Sequence, residues 1–174
     1  MLYLITSLLG GDFMFQIGDK IFYPMHGGGI IESIEEKEMF GEKQLYYVVN
    51  IPHRNMQVML PFDKTEKLGM RPVVDPDKLD DVLSTFHNHG ETELIMNDTQ
   101  RQRVNMSKMK TGDIYEEIAV IRDLLRIKNK RKLGMADKNM LDNVRQILIS
   151  EVVLVKDIPH EQATNFLDEM FNAK

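Results

Sequence analysis

From Phe15 to Leu60 the apolar residues recur with a period of two. Leu45, Tyr47, Val49 and Ile51 would share one face of an extended strand, with Tyr46, Val48 and Asn50 on the other. Met56, Val58 and Leu60 repeat the alternation and stop at Pro61, which has no N–H to give to a ladder. Ile30, Ile31 and Ile34 mark an earlier strand, set off from the Leu45 strand by a turn at Phe40-Gly41-Glu42, and Lys20 to Tyr23 marks another. Four or five short antiparallel strands in so short a stretch bury their common face best by curling into a small barrel.

Beyond Pro72 the period becomes 3.6, and five helices follow. Asp75-Pro76 reads as an N-cap and a proline at the first helical position, with Leu79, Val82, Leu83 and Phe86 as the apolar stripe. His87 to Gly90 breaks this helix. A second is predicted from Asn97 or Asp98 to the C-cap residue Gly112, with Val104 and Met109 inward. Asp113 and Glu116 form a capping box for a third, which carries Ile114, Ile118, Ile121 and Leu125 and ends in a basic turn at Lys128 to Lys132. The fourth starts near Asp137 and points Leu141, Val144, Leu148 and Val152 inward; the fifth opens at Pro159 and buries Ala163, Phe166, Leu167 and Met170. Short connections imply a compact bundle of antiparallel neighbours.

Composition narrows the class. With 43% hydrophobic and 28% charged residues the chain can bury a core. Cysteine is absent, so disulfides, thiolate metal sites and thiol nucleophiles are excluded and a reducing, cytoplasmic setting is expected. The apolar stretch within Met1 to Phe13 has no basic flank and is shorter than a membrane span. We read it as an extension, consistent with initiation at Met14, and expect no membrane partner.

The net charge of −5 argues against a polyanionic partner until it is divided along the chain. Asn97 to Lys132 carries ten basic residues against five acidic ones. One basic patch on an acidic background suits a protein that touches nucleic acid with one face. Arg101, Arg103, Lys108 and Lys110 on the second helix, with Lys130 and Arg131 closing the third, are the candidate phosphate contacts; a merely solvated face is the competing reading. No aromatic interleaves them, which disfavours a base-stacking platform.

Catalytic signals are weak. His26-Gly27-Gly28-Gly29 has the form of a hydrolase oxyanion loop, yet no Gly-x-Ser-x-Gly elbow accompanies it, so a glycine-requiring turn or bulge is the better reading. A phosphate-binding Gly-x-x-x-x-Gly-Lys-[Ser/Thr] loop is also missing. His87 and His89 beside Glu91 and Glu93 read as loop histidines, and the 13 scattered methionines as core filler. We therefore expect no enzyme, cofactor, metal or small-molecule ligand.

The run from Phe15-Gln-Ile-Gly-Asp-Lys to Tyr23-Pro-Met-His-Gly-Gly-Gly and Glu32-Ser-Ile-Glu-Glu closely resembles the opening of the CarD/CdnL family of bacterial transcription regulators. The likeness continues at Gly41-Glu42, Tyr46-Tyr47-Val48-Val49 and Pro61. It returns at Thr111-Gly112-Asp113, Val120-Ile121-Arg122-Asp123-Leu124, Met140-Leu141 and Ile149-Ser150-Glu151. A transcription-repair coupling translocase has a similar module, but the motor that would follow is missing from this sequence. The resemblance implies an α+β chain of two domains: a Tudor-like antiparallel β-barrel over residues 14–74, behind an extension over 1–13, and a compact bundle of about five helices over 75–174.

It further implies a non-catalytic regulator whose barrel docks on the RNA polymerase β subunit. The helical half would contact promoter DNA at the upstream edge of the bubble without sequence preference and modulate open-complex stability, ribosomal RNA promoters included. Lys37 falls where relatives place an arginine against polymerase, Met59 falls at a second such arginine, and Val58 adjoins it. Arg101 and Arg103 match basic DNA-contacting positions. Relatives also insert a tryptophan wedge between bases, where this chain has Asp98, with Ile95 or Met96 as substitutes; a carboxylate cannot wedge between bases and repels phosphate. A protein-only adaptor docking through its barrel, with no DNA role, is the alternative.

Overall fold

The computed structural model describes residues 15–88 and 97–173. The extension over 1–13 and the segment holding His89, Glu91, Glu93, Ile95 and Met96 lie outside them.

Five strands come first: β1 (Lys20–Tyr23), β2 (Gly27–Met39), β3 (Glu42–Ile51), β4 (Met56–Pro61) and β5 (Arg71–Pro72). They form one antiparallel sheet in the order β4-β3-β2-β1-β5. Four strands meander, and the fifth returns to the far side of the first, a Tudor-like arrangement. Period-two alternation does what it predicts on the inner face: Phe15, Ile21, Ile31, Tyr47, Val49, Ile51, Leu60 and Met70 make one closed core. Inside it the Phe15 ring meets Tyr47 edge-on at 5.9 Å, and the Tyr47 hydroxyl donates to the Phe15 carbonyl at 3.3 Å.

Five helices follow: α1 (Pro76–Asn88), α2 (Asp98–Thr111), α3 (Ile114–Lys130), α4 (Met135–Lys156) and α5 (His160–Asn172). Their ends obey the capping chemistry of the sequence. Asp75 accepts from the Lys78 N–H at 2.8 Å, Asn97 and Gln100 form a reciprocal capping box, and Gly112 closes α2 at φ +68°. Asp113 does cap α3, through the Tyr115 N–H at 2.9 Å, but its expected box partner Glu116 reaches Lys108 at 3.5 Å. A nearby ammonium is a stronger partner for that carboxylate than a backbone N–H. α4 is the central element, packed on the other helices and on the sheet, and its stretch from Ile147 to Val152 is buried on every side.

One row of the sheet runs along the junction of the two halves. Register sets Gly28 (β2), Phe22 (β1) and Arg71 (β5) side by side, so all three face α4. Phe22 enters the helical core, while its neighbour Ile21 points into the barrel. Gly28 donates its N–H to Ser150 Oγ at 2.9 Å, and a Cβ there would stand 2.8 Å from both Leu154 Cδ1 and the Ser150 carbonyl. The glycine run opens β2: Gly27, at φ +99°, follows the expected turn over Pro24 to His26, Gly28 lets α4 lie against the sheet, and a separate register irregularity falls at Ile31/Ser33.

Arg71 completes the junction. Its guanidinium holds both carboxylate oxygens of the fully buried Glu151, at 2.6 and 3.0 Å, lies 4.2 Å from the Phe22 ring centroid and donates to the Gly112 carbonyl at 2.7 Å. Glu117 on α3 is buried behind this pair, with no hydrogen-bond partner on either oxygen. Desolvation, with the Glu151 charge adding to it, pushes its pKa well above the ordinary 4.5. Between that value and the raised one the native state holds a proton that the unfolded chain has lost. Stability therefore falls as pH rises through that window, by up to about 1.4 kcal/mol per unit. Glu117→Gln, neutral throughout, should melt with the parent below about pH 4 and at a higher temperature at pH 7; equal midpoints at both would refute the assignment.

Candidate functional site

Two surfaces carry the chemistry singled out in the sequence. On the β side, β4 pairs with β3 alone, which leaves its other edge open among the described residues. An open edge presents backbone N–H and C=O groups that an extended partner strand can pair with. Strand register separates the three candidates there. Met59 lies opposite Val48 and is 42% exposed on the outer face, whereas Val58 lies opposite Val49 and packs partly buried against the barrel core. Lys37, opposite Gln44, shares Met59's outer face by alternation. It is exposed, and its ammonium holds Glu35 at 3.0 Å, which lowers the Glu35 pKa. Tyr46 and Val48 lie on the same face, buried yet part of neither core, so the outer face has an apolar floor.

On the helical side the expected cationic surface is smaller than the count of basic residues. Arg101 is 9% exposed: its guanidinium is held by Asp137 and by Asp98, the latter at 2.8 Å. It shares the inward face of α2 with Asn105 and Met109, where Val104 was expected and is only half-buried. No pattern within α2 announces this, because two of the three inward residues are polar and the partner Asp137 is 36 residues away. Asp98 also takes Arg131 at 2.9 Å; the Arg101 and Arg131 bonds depress its pKa. Lys108 leans toward Glu116. Arg103 and Lys110 are exposed on one side of α2, lining with Thr99, Gln102, Met106 and Ser107 a shallow hollow of about 440 Å³, and Lys128, Lys130 and Lys132 are exposed at and just beyond the end of α3.

Residues of the glycine motif do no visible chemistry. His26 stacks on Tyr23 at 4.4 Å with Nδ1 3.1 Å from the Pro24 carbonyl oxygen. Where the barrel meets α4 and α5, Gly28, Pro52, His53, Ser150, Val153, Leu154 and His160 line a mostly apolar cleft of about 320 Å³. Burial, assisted by Arg54, His160 and His26, lowers the His53 pKa to about 4, so its ring is neutral there. Among the described residues no three histidines or carboxylates lie close enough to share a metal ion, and no helix is long and apolar enough to cross a membrane.

A five-stranded sheet with β4 at one open edge, tied to a helical bundle bearing exposed cations, makes a chain of two modules. Residues 15–74 match the CarD-like/TRCF RID domain, and residues 81–168 match the CarD C-terminal domain. The chain is 46% identical over 153 residues to the Bacillus subtilis (strain 168) protein named "Putative transcription factor YdeB", an alignment spanning 88% of this chain and 99% of that protein. The solution NMR structure of the 72-residue N-terminal domain of Myxococcus xanthus CarD aligns at 26% identity, over 36% of this chain and 83% of that one, with a TM-score of 0.31. The chain belongs to the CarD family of transcription factors.

Proposed function

We propose that this chain is a cytoplasmic, non-catalytic regulator that binds the RNA polymerase β subunit through its barrel and sets its helical half against promoter DNA, so that open-complex stability changes. The open β4 edge, in a domain of the RNA-polymerase-interacting type, carries this reading. Backbone pairing supplies affinity there, with Met59 beside the joint and Lys37 on the same outer face two strands away. Arg103, Lys110 and Lys130 supply phosphate contacts, which position a protein on DNA without reading sequence. Asp98, placed by the sequence reading at the wedge position, pairs with Arg101 and Arg131 and cannot unstack bases, so among the described residues the hold on DNA comes from charge.

A protein-only adaptor is favoured by the same ion pairs, since Arg101, Lys108 and Arg131 are each engaged by carboxylates. The full chain, polymerase and a promoter fragment separate the two. Arg103→Ala/Lys110→Ala should weaken the promoter complex at low salt and lower the slope of log K against log salt by about 2, while binding to polymerase alone stays unchanged. An unchanged slope would favour the adaptor.

A further inference from the structure

We propose that Arg101 and Asp137 are positioning residues: their buried ion pair fixes the rotation of α2 on α4 and so aims Arg103 and Lys110 at DNA, while neither member of the pair touches it. This rests on the DNA reading above and gives that surface a determinant on the opposite side of its own helix.

α2 has no apolar stripe to choose which of its faces packs inward. At about 100° per residue, Val104, Met106 and Met109 spread over about 200° of its circumference. Met109 alone of the three is buried; Met106 is 36% exposed and Val104 half-buried. The residues that face inward with Met109 are Arg101 and Asn105, at 9% and 4% exposure. One apolar side chain does not define a rotation, but a buried guanidinium does, because it is tolerated only where it meets a carboxylate. That carboxylate is Asp137, 3% exposed in the first turn of α4, and Asp98 holds the same guanidinium at 2.8 Å.

The seam is poorly suited to adding stability. Arg101 Nε, Asn105 Nδ2 and Asp137 Oδ1 have no hydrogen-bond partner among the described residues. A buried network satisfied only in part returns less than an apolar contact of the same size. Its use is registry: it excludes the arrangements that leave its charges unpaired.

Rotation matters because of what lies opposite. Arg103 and Lys110 sit about 200° and 180° around the helix from Arg101, so seating Arg101 against α4 turns both outward, where they are exposed. α4 extends the same control to the sheet. Its Ser150 and Glu151 hold Gly28 and Arg71, so one helix relates the basic face of α2 to β1, β2 and β5.

The test uses the full chain, core RNA polymerase, a promoter fragment and the variants Asp137→Leu, Arg101→Met and their double. Asp137→Leu removes a negative charge and releases an arginine, so if the number of cations or Arg101 itself held DNA, affinity would rise. Positioning predicts the opposite sign: promoter binding at low salt about tenfold weaker, as when the oriented helix is populated about one time in ten, with polymerase binding unchanged. Arg101→Met should weaken binding to the same degree at an unchanged salt slope, whereas loss of a phosphate contact lowers the slope by about 1. The double variant sets two apolar groups at the same positions, stays folded without an unpaired charge and should recover parental affinity. Tighter binding by Asp137→Leu, a lower slope for Arg101→Met, or a double variant no tighter than Arg101→Met would each overturn the proposal. Hydrogen exchange reads the clamp without DNA: α2 amides should exchange faster in both single variants and at the parental rate in the double, with α5 amides unchanged. Equal α2 exchange in all four proteins would refute the clamp itself. An unchanged slope for Arg103→Ala/Lys110→Ala, with α2 exchange still dependent on the pair, would instead remove the DNA reading and leave a clamp that aims nothing at DNA.

Discussion

Arg71→Met should cost about 3–5 kcal/mol of folding stability, the loss expected when one partner of a buried ion pair is removed. Glu151 has no solvent exposure, and its oxygens are satisfied by the two guanidinium nitrogens and by the Val74 N–H at 3.0 Å. Without the arginine, Glu151 would share a dry site with Glu117, and two carboxylates so placed cannot both ionise. The double change Arg71→Met/Glu151→Leu removes charge and counter-charge together and should recover most of the loss, because apolar isosteres replace buried pairs at little cost. Urea unfolding of parent, single and double variants reads both effects. A single variant as stable as the parent would show that the pair does not hold β5 to α4.

The second large effect concerns the seam at β2. Gly28→Val should destabilise by about 2–4 kcal/mol, from overpacking and from weakening the Gly28-to-Ser150 bond. The obstacle is the Ser150 backbone carbonyl, 2.8 Å from where a Cβ would sit; a helix backbone has less room to yield than a side-chain end. Gly134→Ala is the control: nothing lies within 4 Å of its Cβ, so its loss is confined to the poorer N-cap that alanine makes for α4, about 1 kcal/mol or less. Calorimetric melting compares the two, and equal losses would place the cost of Gly28→Val in backbone freedom instead of the seam.

Elements were legible in proportion to how local their causes are. The strand run ending at Pro61, the Asp75 cap, the Asn97 start and Gly112 end of α2, and the Pro159 start of α5 all follow from residues within a turn or two of each other. The family signal lay in the same local blocks, Tyr23-Pro-Met-His-Gly-Gly-Gly and Thr111-Gly112-Asp113 among them, and the domain matches bear it out. The candidate site was less legible. Counting cations in α2 and α3 gives a broad basic surface, but Asp137 and Asp98 draw Arg101 inward and hold Arg131. Val58 and Met59 are adjacent in sequence and opposite in direction, and register decides which is available to a partner.

By itself the sequence determined the two-part α+β plan, the limits of most elements and the family, because periodicity, capping and turn chemistry act over a few residues and are written where they act. Tertiary structure alone decided which charges are held in ion pairs, why a glycine is needed at position 28, and where Arg71, Glu151 and Glu117 meet. Those outcomes depend on groups brought together from distant points in the chain: Gly28 with Ser150, Arg71 with Glu151, Arg101 with Asp137. No local pattern records such a meeting, since what fixes it is desolvation and close contact at a shared interface.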